Sequence, residues 1–272
     1  MTSVPPCDGL ICDLDGVVYR GDTPIDGAAA ALGHVREAGV GVVFCTNNST
    51  QTVEHYKEKL ARHGIEASAG EIVTSAVVCG EVFAARGLAG ARALVVGGPG
   101  LVESVSAAGL VVEEDPDPST VDVVAVGLDA TFDYDALRRA ALSVHAGAEL
   151  FATNDDATYP APGGREWPGA GAILAAIEVA SKRRAEVMGK PHPPMMEAAE
   201  RRLPGARRIG MVGDRPETDL RGGEAMGWTT ILVLSGVTPA ARASEVEPTP
   251  DVVLESIADL PRWLFGDARA ST

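Results

Sequence analysis

The sequence predicts an α/β fold: a doubly wound, mainly parallel sheet, with a further set of α/β elements in the middle of the chain. Two observations lead to this prediction. Short apolar runs alternate with helical patterns, and glycine-containing segments join them. The runs are apolar at consecutive positions, which is typical of strands that are buried on both faces of a parallel sheet.

The first third of the chain is expected to form three strands with helices between them. The first strand ends on Asp13 and Asp15, and Gly16 follows where the chain must turn. The second strand ends on the polar residues 46–49, and glycines close the intervening helices. The expected elements are strands at 10–15, 40–45 and 71–74, and helices at about 28–38, 53–64 and 77–87.

The middle of the chain repeats this alternation with its own elements. A loop rich in proline and glycine at 159–171 interrupts it, and the last part of the chain returns to strands. The expected elements are strands at 93–96, 121–126, 150–153, 208–214, 231–234 and 252–254, with helices in between and a terminal helix at 257–264.

Composition narrows the class of protein. The 272 residues suffice for two domains, and the net charge of −15 argues against nucleic-acid binding because no basic stripe is present. No apolar stretch approaches the roughly 20 residues that cross a bilayer, and no signal peptide is visible, so we expect no membrane association. The four cysteines form no C-x-x-C pair, which favours small buried side chains in a reducing cytoplasm.

Four polar segments carry residue types that phosphoryl transfer requires. A carboxylate can attack phosphorus, and a second one can move the proton of the leaving group. Hydroxyl and amide groups can hold phosphoryl oxygens, a lysine can offset their charge, and further aspartates can bind Mg²⁺. The candidates are Asp13 with Asp15, Thr46 with Asn47, Lys190, and Asp214 with Asp219.

Each segment taken alone also has an ordinary structural interpretation. Asp15-Gly16 is a common turn dipeptide. Asn48 and Ser49 are typical of helix caps. Lys190 could be a surface lysine, and Asp219 could interact with a helix N-terminus. The occurrence of all four segments in one chain favours the catalytic interpretation.

These segments resemble, in type and in order, the four motifs of the haloacid dehalogenase (HAD) superfamily. The similarity points to the branch of p-nitrophenylphosphatases, phosphoglycolate phosphatases and pyridoxal phosphatases with a large α/β cap (subfamily IIA). Residues 153–160 and 168–171 resemble the cap of that branch, so the similarity covers nearly the whole chain. One departure is Glu217, at a position where aspartate is common. The motifs are 13–17 (DLDGV), 46–49 (TNNS), 189–193 (GKPHP) and 213–219 (GDRPETD).

The resemblance implies a role for each motif residue. Asp13 is the nucleophile, and Asp15 is the general acid and base whose main-chain carbonyl joins the metal ligands. Thr46 and Asn47, with Asn48 beside them, bind the phosphoryl group. Lys190 bridges nucleophile and phosphate. Asp214 is a ligand of Mg²⁺ together with Asp13 and Asp15, and Asp219 supports it.

The cap is expected to select the substrate. About 140 residues separate Asn47 from Lys190, which is enough for an inserted α/β domain. We expect a HAD-like Rossmannoid core over 1–82 and 185–272 and a cap over 83–184. In the cap, Asp155, Arg165 and Trp167 are candidates to touch the leaving group, with rim or dimer contacts as the alternative. The resemblance also implies a homodimer through the cap.

The expected function is hydrolysis of a small phosphorylated metabolite. A Mg²⁺-dependent phosphatase acting through an aspartyl phosphate on glycerol 3-phosphate or 2-phosphoglycolate is the leading interpretation. Nucleotide or pyridoxal phosphate phosphatases are alternatives, and so are a phosphomutase and a non-catalytic phosphoester sensor on the same scaffold. Asp15 argues against a dehalogenase, which does not need this second carboxylate.

Overall fold

The computed structural model describes residues 6–161 and 165–266. Its strands are β1 (Gly9–Cys12), β2 (Tyr19–Arg20), β3 (Thr23–Pro24), β4 (Gly41–Thr46), β5 (Ile72–Thr74), β6 (Arg92–Val96), β7 (Val111–Val112), β8 (Val123–Val126), β9 (Glu149–Ala152), β10 (Thr158–Ala161), β11 (Arg165–Pro168), β12 (Glu186–Val187), β13 (Ile209–Gly213), β14 (Thr229–Val233) and β15 (Val252–Leu254). Its α-helices are α1 (Ala28–Glu37), α2 (Val53–Arg62), α3 (Ser75–Ala85), α4 (Pro99–Ala107), α5 (Tyr134–Ala146), α6 (Ala170–Ser181), α7 (Pro193–Arg201), α8 (Arg221–Ala225) and α9 (Leu260–Phe265).

The chain divides into two compact units. The first contains the residues up to Thr46, Tyr56–Val73 and those from Met196 onward, and the second contains Asn47–His55 and Thr74–Met195. The expected boundaries of core and cap at 82/83 and 184/185 stay a prediction. In the main sheet of each unit the described pairings are parallel, and helices accompany both sheets, so the predicted fold class is confirmed.

The first unit is built on a six-stranded sheet in the order β15-β14-β13-β1-β4-β5. Strand β1 pairs in parallel with β13 on one side and with β4 on the other. All residues of β1 and β13 are buried. Successive side chains of a strand point to opposite faces, so full burial means that both faces of this sheet are covered. This explains why the runs are apolar throughout and do not alternate.

The second unit has a five-stranded sheet in the order β12-β9-β8-β6-β7, and its described pairings are parallel. Helices α5 and α6 pack on it around Val124, Val144 and Ile177. Phe83 and Phe151 meet edge to face with ring centroids 4.9 Å apart, an arrangement that aromatic pairs prefer. This unit therefore has a hydrophobic core of its own.

Two details differ from the expectation. The segment expected as a loop at 159–171 contains an antiparallel pair, in which Tyr159 lies opposite Trp167. The sequence did not indicate these strands, because proline and glycine are depleted in sheets and each strand has only four residues. Residues 162–164 of this segment lie outside the described residues. The short strands β2, β3, β7 and β12 were also not expected, since two residues give no periodicity.

All four cysteines are buried and free, as expected for small apolar side chains. Within the described part of the chain, no helix has both the length and the apolar character needed to cross a bilayer.

Candidate active site

The turn after β1 places the first candidate residues. The Asp13 N–H donates to the Val212 carbonyl at 2.9 Å and continues the pairing of β1 with β13. The chain then turns through Gly16, whose φ is 84° and whose N–H donates to the Tyr19 carbonyl at 2.7 Å. A φ in this region is strained for a residue with a Cβ, so glycine fits the position.

A buried carboxylate cluster, consisting of Asp13, Asp214 and Asp219, lies at the carboxyl ends of β1 and β13. Each residue offers an oxygen, and these oxygens lie within 4.8 Å of one another. The two strands pair in register with Cys12 opposite Val212, so Asp13 and Asp214 leave the sheet at the same edge. Asp219 comes from the π-helical turn Pro216–Leu220, and its Oδ2 accepts from the Arg215 N–H at 3.1 Å. The ends of two parallel strands and the π-helical turn after the second strand therefore bring three carboxylates together.

The like charges of the three carboxylates in this cluster repel one another. Burial, followed by the neighbouring carboxylates of Asp13 and Asp219, raises the pKa of Asp214 well above its usual range. Asp214 Oδ2 accepts from the Val237 N–H at 2.6 Å, whereas the buried Oδ1 has no hydrogen-bond partner among the residues that the structure describes. An unpaired buried carboxylate oxygen among like charges is costly unless a cation binds there.

The backbone around Asp214 leaves no room for larger residues. A Cβ at Gly236 would lie 1.9 Å from Asp214 Oδ2, and a Cβ at Gly16 would lie 2.3 Å from the same atom. Three carboxylates with one unpartnered oxygen, held by close backbone, fit a hard divalent cation that prefers oxygen ligands.

Asp15 lies in a different environment. The Asp15 side chain reaches solvent, but the protein atoms packed against it desolvate the carboxyl group in part. This desolvation raises the pKa of Asp15. The positive charge of Lys59 and the backbone N–H of Gly21 act in the opposite direction. A solvent-accessible carboxyl with a raised pKa is suited to proton transfer.

Lys59 on α2 is a cation that sequence analysis missed. Its Nζ lies 3.8 Å from the centroid of the Tyr19 ring and 3.7 Å from Asp22 Oδ1. Both contacts tie α2 to β2 and the turn that follows it. Its helical position resembles that of any surface lysine, so no sequence signal distinguishes it.

Thr46 is the last residue of β4 and is buried. Because β4 pairs in parallel with β1, with Phe44 opposite Cys12, Thr46 ends its strand at the same edge as Asp13. The structure thus brings four of the expected site residues, Asp13, Thr46, Asp214 and Asp219, to one edge of the first unit's sheet.

In the second unit, the Asn47 side chain holds the main chain of Lys190, the lysine of the motif at 189–193. The Asn47 side chain accepts from the Lys190 N–H at 2.7 Å and donates to the Lys190 carbonyl at 3.0 Å. Asn47 Nδ2 also donates to Asp156 Oδ2 at 3.1 Å. Both Asn47 and Lys190 are buried. The lysine loop, residues 189–192, is therefore fixed through its main chain.

An ion pair closes the far end of the lysine loop. His192 Nε2 lies 3.0 Å from Asp155 Oδ2. The hydrogen bond that His192 donates to Asp155 raises the pKa of His192, and the same bond lowers the pKa of Asp155. The imidazolium and carboxylate forms thus favour each other.

With this geometry established, comparison with known proteins assigns the family. Residues 10–111 match the model of haloacid dehalogenase-like hydrolases, and residues 187–260 match a HAD-hydrolase-like model. An acid sugar phosphatase of Staphylococcus saprophyticus is 36% identical over 93% of this chain and 96% of its own. The chain belongs to the haloacid dehalogenase-like hydrolase family.

Solved structures place it among the phosphatases of this family. The glycerol phosphate phosphatase of Mycobacterium tuberculosis, in complex with magnesium, is 35% identical, with a TM-score of 0.83 over 94% of this chain and 76% of that one. The 4-nitrophenylphosphatase of Thermotoga maritima is 31% identical, with a TM-score of 0.86 over 94% and 98% of the two chains. The expected p-nitrophenylphosphatase branch is thereby confirmed.

The remaining residues expected in this HAD site have local partners. Asn48 is exposed, and its Oδ1 accepts from the Thr50 N–H at 3.0 Å and from its hydroxyl at 2.7 Å. This is the local capping contact typical of asparagine. Arg165 is exposed on β11, and its guanidinium lies 5.9 Å from the centroid of the Trp167 ring. Binding of substrate by these residues stays a prediction.

Sequence analysis missed two residues that the structure ties to Asn47. Asn154 Nδ2 donates to the Asn47 carbonyl at 2.8 Å, and Asp156 accepts from the Asn47 side chain. The segment 153–160 carried a resemblance to the cap of the family, but nothing in it distinguished these two residues from loop-capping residues.

Proposed function

We propose that this HAD phosphatase hydrolyses small phosphomonoesters with Mg²⁺ and through an aspartyl phosphate on Asp13. The proposal is carried by the carboxylate cluster, in which a strand-end aspartate lies beside a buried carboxylate oxygen without a partner. Asp13, Asp214 and the main-chain carbonyl of Asp15 would hold the ion, with Asp219 supporting them. When bound, Mg²⁺ supplies positive charge that offsets the carboxylates and the phosphoryl oxygens.

The reaction divides into two displacements. A carboxylate oxygen of Asp13 attacks phosphorus, the bond from phosphorus to the ester oxygen breaks, and Asp15 gives its proton to that oxygen. Asp15 then takes a proton from water as the water attacks phosphorus. The bond between phosphorus and Asp13 breaks and releases inorganic phosphate. Thr46 holds the phosphoryl group, Asn47 lies next to it in the same motif, and Lys190 offsets the charge of the phosphoryl group.

Glycerol 3-phosphate and 2-phosphoglycolate are the proposed substrates. The support is the similarity to the glycerol phosphate phosphatase of M. tuberculosis and to the glycerol-3-phosphate phosphatase of Gallus gallus, which is 35% identical over 93% of this chain. A sugar phosphate is a second candidate, because the staphylococcal relative is named an acid sugar phosphatase. Asp155 and Arg165 are proposed to contact the leaving group.

Phosphate release tests the proposal. Purified protein should release phosphate from p-nitrophenyl phosphate, and EDTA should abolish the activity. Asp13→Asn should lower kcat to background, since an amide does not attack phosphorus. Full activity in Asp13→Asn would overturn the nucleophile. A panel of phosphorylated metabolites then ranks the substrates by kcat/KM, including nucleotides and pyridoxal phosphate.

The same assay separates the other functions on this scaffold. A phosphomutase would transfer the phosphoryl group without releasing phosphate, and a sensor would bind phosphoesters without turnover. Asp15→Asn should slow both displacements by about 10²- to 10⁴-fold if Asp15 acts in each. Equal turnover in Asp15→Asn and the parent protein would refute that role.

We also propose a homodimer that forms through the cap and a cytoplasmic location. The support for the dimer is the resemblance to the subfamily, and the support for the location is the set of four free cysteines. Sedimentation at micromolar concentration tests the dimer, and a monomer there would refute it.

A further inference from the structure

We propose that the Asn47 side chain is a positioning element for Lys190 and not a ligand of the phosphoryl group. The inference rests on the proposed function, in which Lys190 offsets the charge of the phosphoryl group. It concerns a residue for which the resemblance to the HAD motifs implies a direct contact with the phosphoryl group.

The first argument is the pair of hydrogen bonds between Asn47 and the main chain of Lys190. Oδ1 accepts from the N–H at 2.7 Å, and Nδ2 donates to the carbonyl at 3.0 Å. Two bonds to one residue fix its orientation as well as its distance. Lys190 is 2% exposed, so water does not compete for these groups.

The second argument is that Asn47 has no side-chain donor left. An amide carries two N–H donors. One goes to the Lys190 carbonyl, and the other points at Asp156 Oδ2 at 3.1 Å. The orientation of the amide is determined, because Oδ1 must face an N–H and Nδ2 must face a carboxylate and a carbonyl. Donation to a phosphoryl oxygen would break one of these bonds.

The third argument is that the rest of the unit holds Asn47 itself. The Asn47 carbonyl accepts from Ser75 Oγ at 2.6 Å and from Asn154 Nδ2 at 2.8 Å. A Cβ at Gly189 would lie 2.6 Å from Asn47 Oδ1 and 2.5 Å from the Thr153 carbonyl. Asn47 and the lysine loop are thus packed so closely that only glycine fits before Lys190.

A double-mutant cycle on kcat for p-nitrophenyl phosphate tests the inference. Asn47→Ala should lower kcat by on the order of 100-fold, the effect of misplacing a reacting group by about 1 Å. Lys190→Ala should lower it at least as much. If Asn47 acts through Lys190, the double variant should match Lys190→Ala within about twofold.

The outcomes separate the inference from the proposed function. Losses that multiply in the double variant would show that Asn47 acts on the substrate by itself and would overturn the inference. Unchanged kcat in Asn47→Ala would do the same. Unchanged kcat in Lys190→Ala would instead refute the role of Lys190 in the proposed function.

An exchange of donor and acceptor covers the case in which Asn47→Ala does not fold. Asn47→Asp keeps the acceptor for the Lys190 N–H and places an oxygen against both Asp156 and the Lys190 carbonyl. Asp156→Asn added to it restores a donor between the two side chains. The double variant should recover part of the kcat that Asn47→Asp loses, because it restores the contact with residue 156 but not the one with the Lys190 carbonyl. No recovery would count against the inference.

Asp133→Ala is the matched control for stability. It removes the N-cap of α5 in the same unit, where Asp133 Oδ1 accepts from the Ala136 N–H at 2.8 Å. Loss of such a cap lowers stability. We expect Asp133→Ala to lower the Tm and to leave kcat unchanged, so a fall in kcat for Asn47→Ala is not a consequence of lost stability.

Discussion

Asp13 and Asp214 lie side by side at the ends of two paired parallel strands, and both carboxylates are buried. Their carboxylate oxygens lie within 4.8 Å of each other, so their negative charges repel. Burial strengthens this repulsion because water screens it less. This repulsion destabilises the folded protein at its proposed reaction centre. The free energy of unfolding should therefore depend on whatever neutralises the cluster, whether protons or a divalent cation.

The first prediction concerns pH and metal removal. The folded-state pKa of Asp214 is raised above the usual 3.8. The protonated Asp214 side chain therefore contributes fully to stability below pH 3.8, and this contribution is lost as pH rises through the raised pKa. Mg²⁺ should offset the loss, so the rise in Tm on adding Mg²⁺ should be larger at about pH 8 than at about pH 5. At a hundredfold excess over Kd, the gain is about 2.7 kcal/mol.

Asp214→Asn is the test variant for this prediction. The amide removes one of three like charges, so the EDTA-treated variant should melt at a higher temperature than the EDTA-treated parent protein. Its Tm should hardly respond to Mg²⁺. An equal response of both proteins to Mg²⁺ at pH 8, measured by calorimetry, would contradict a cation site at Asp214.

The second prediction compares two glycines with the same backbone angle. Gly16 and Gly39 both have a φ of 84°. A Cβ at Gly16 would lie 2.3 Å from Asp214 Oδ2, whereas a Cβ at Gly39 meets nothing within 4 Å. Gly39→Ala should cost about 1–2 kcal/mol of stability, the cost of a positive φ, and should keep full activity. Gly16→Ala should cost more and should also lose Mg²⁺-dependent turnover.

Urea unfolding and phosphate release measure these two effects on the same samples. A Gly16→Ala protein that loses stability but keeps turnover would show that the close approach to Asp214 is not needed for the reaction.

The third prediction concerns the pH profile and Lys59. Burial raises the pKa of Asp15, and the Lys59 charge lowers it. Lys59→Met should therefore raise the pKa of Asp15 further. Since Asp15 must be protonated to act as an acid, the alkaline limb of kcat/KM against pH should move to higher pH. Lys57→Met removes a charge two positions away on another face of α2 and is the control. Equal profiles for both variants would contradict the assignment.

The fourth prediction concerns the ion pair of Asp155 with His192. The pKa of His192 is raised above 6.5, so its contribution to stability is complete below 6.5 and is lost as pH rises through the raised pKa. The pKa of Asp155 is lowered, so its contribution is present above 3.8 and is lost as pH falls through the lowered pKa. The pair should stabilise the protein most between these two pH values.

His192→Gln tests the pair. Both side chains are partly exposed, so water screens the interaction and its contribution should stay below about 1 kcal/mol. The difference in unfolding free energy between the parent protein and His192→Gln should be larger at about pH 5.5 than at about pH 8.5. A difference that grows toward alkaline pH would have the wrong sign for this pair.

Much of the fold could be predicted because its signals are local. The apolar runs of β1, β4 and β13 are buried at nearly every position and carry their own evidence for a parallel sheet. The hairpin of β10 and β11 could not be predicted, since its prolines disfavour strands and its pairing depends on tertiary context. The same holds for Lys59, whose contacts with Tyr19 and Asp22 join distant parts of the chain.

The sequence by itself determined the family and the residue types proposed for the reaction, because their order and spacing in four motifs resemble those of the family whose models match the chain. Only the tertiary structure decided how each side chain is used. Asn47 has the chemistry of a phosphate ligand, but its hydrogen bonds go to Lys190 and Asp156, both more than a hundred positions away. An amide has only two donors, and which groups take them is fixed by packing that no local pattern encodes.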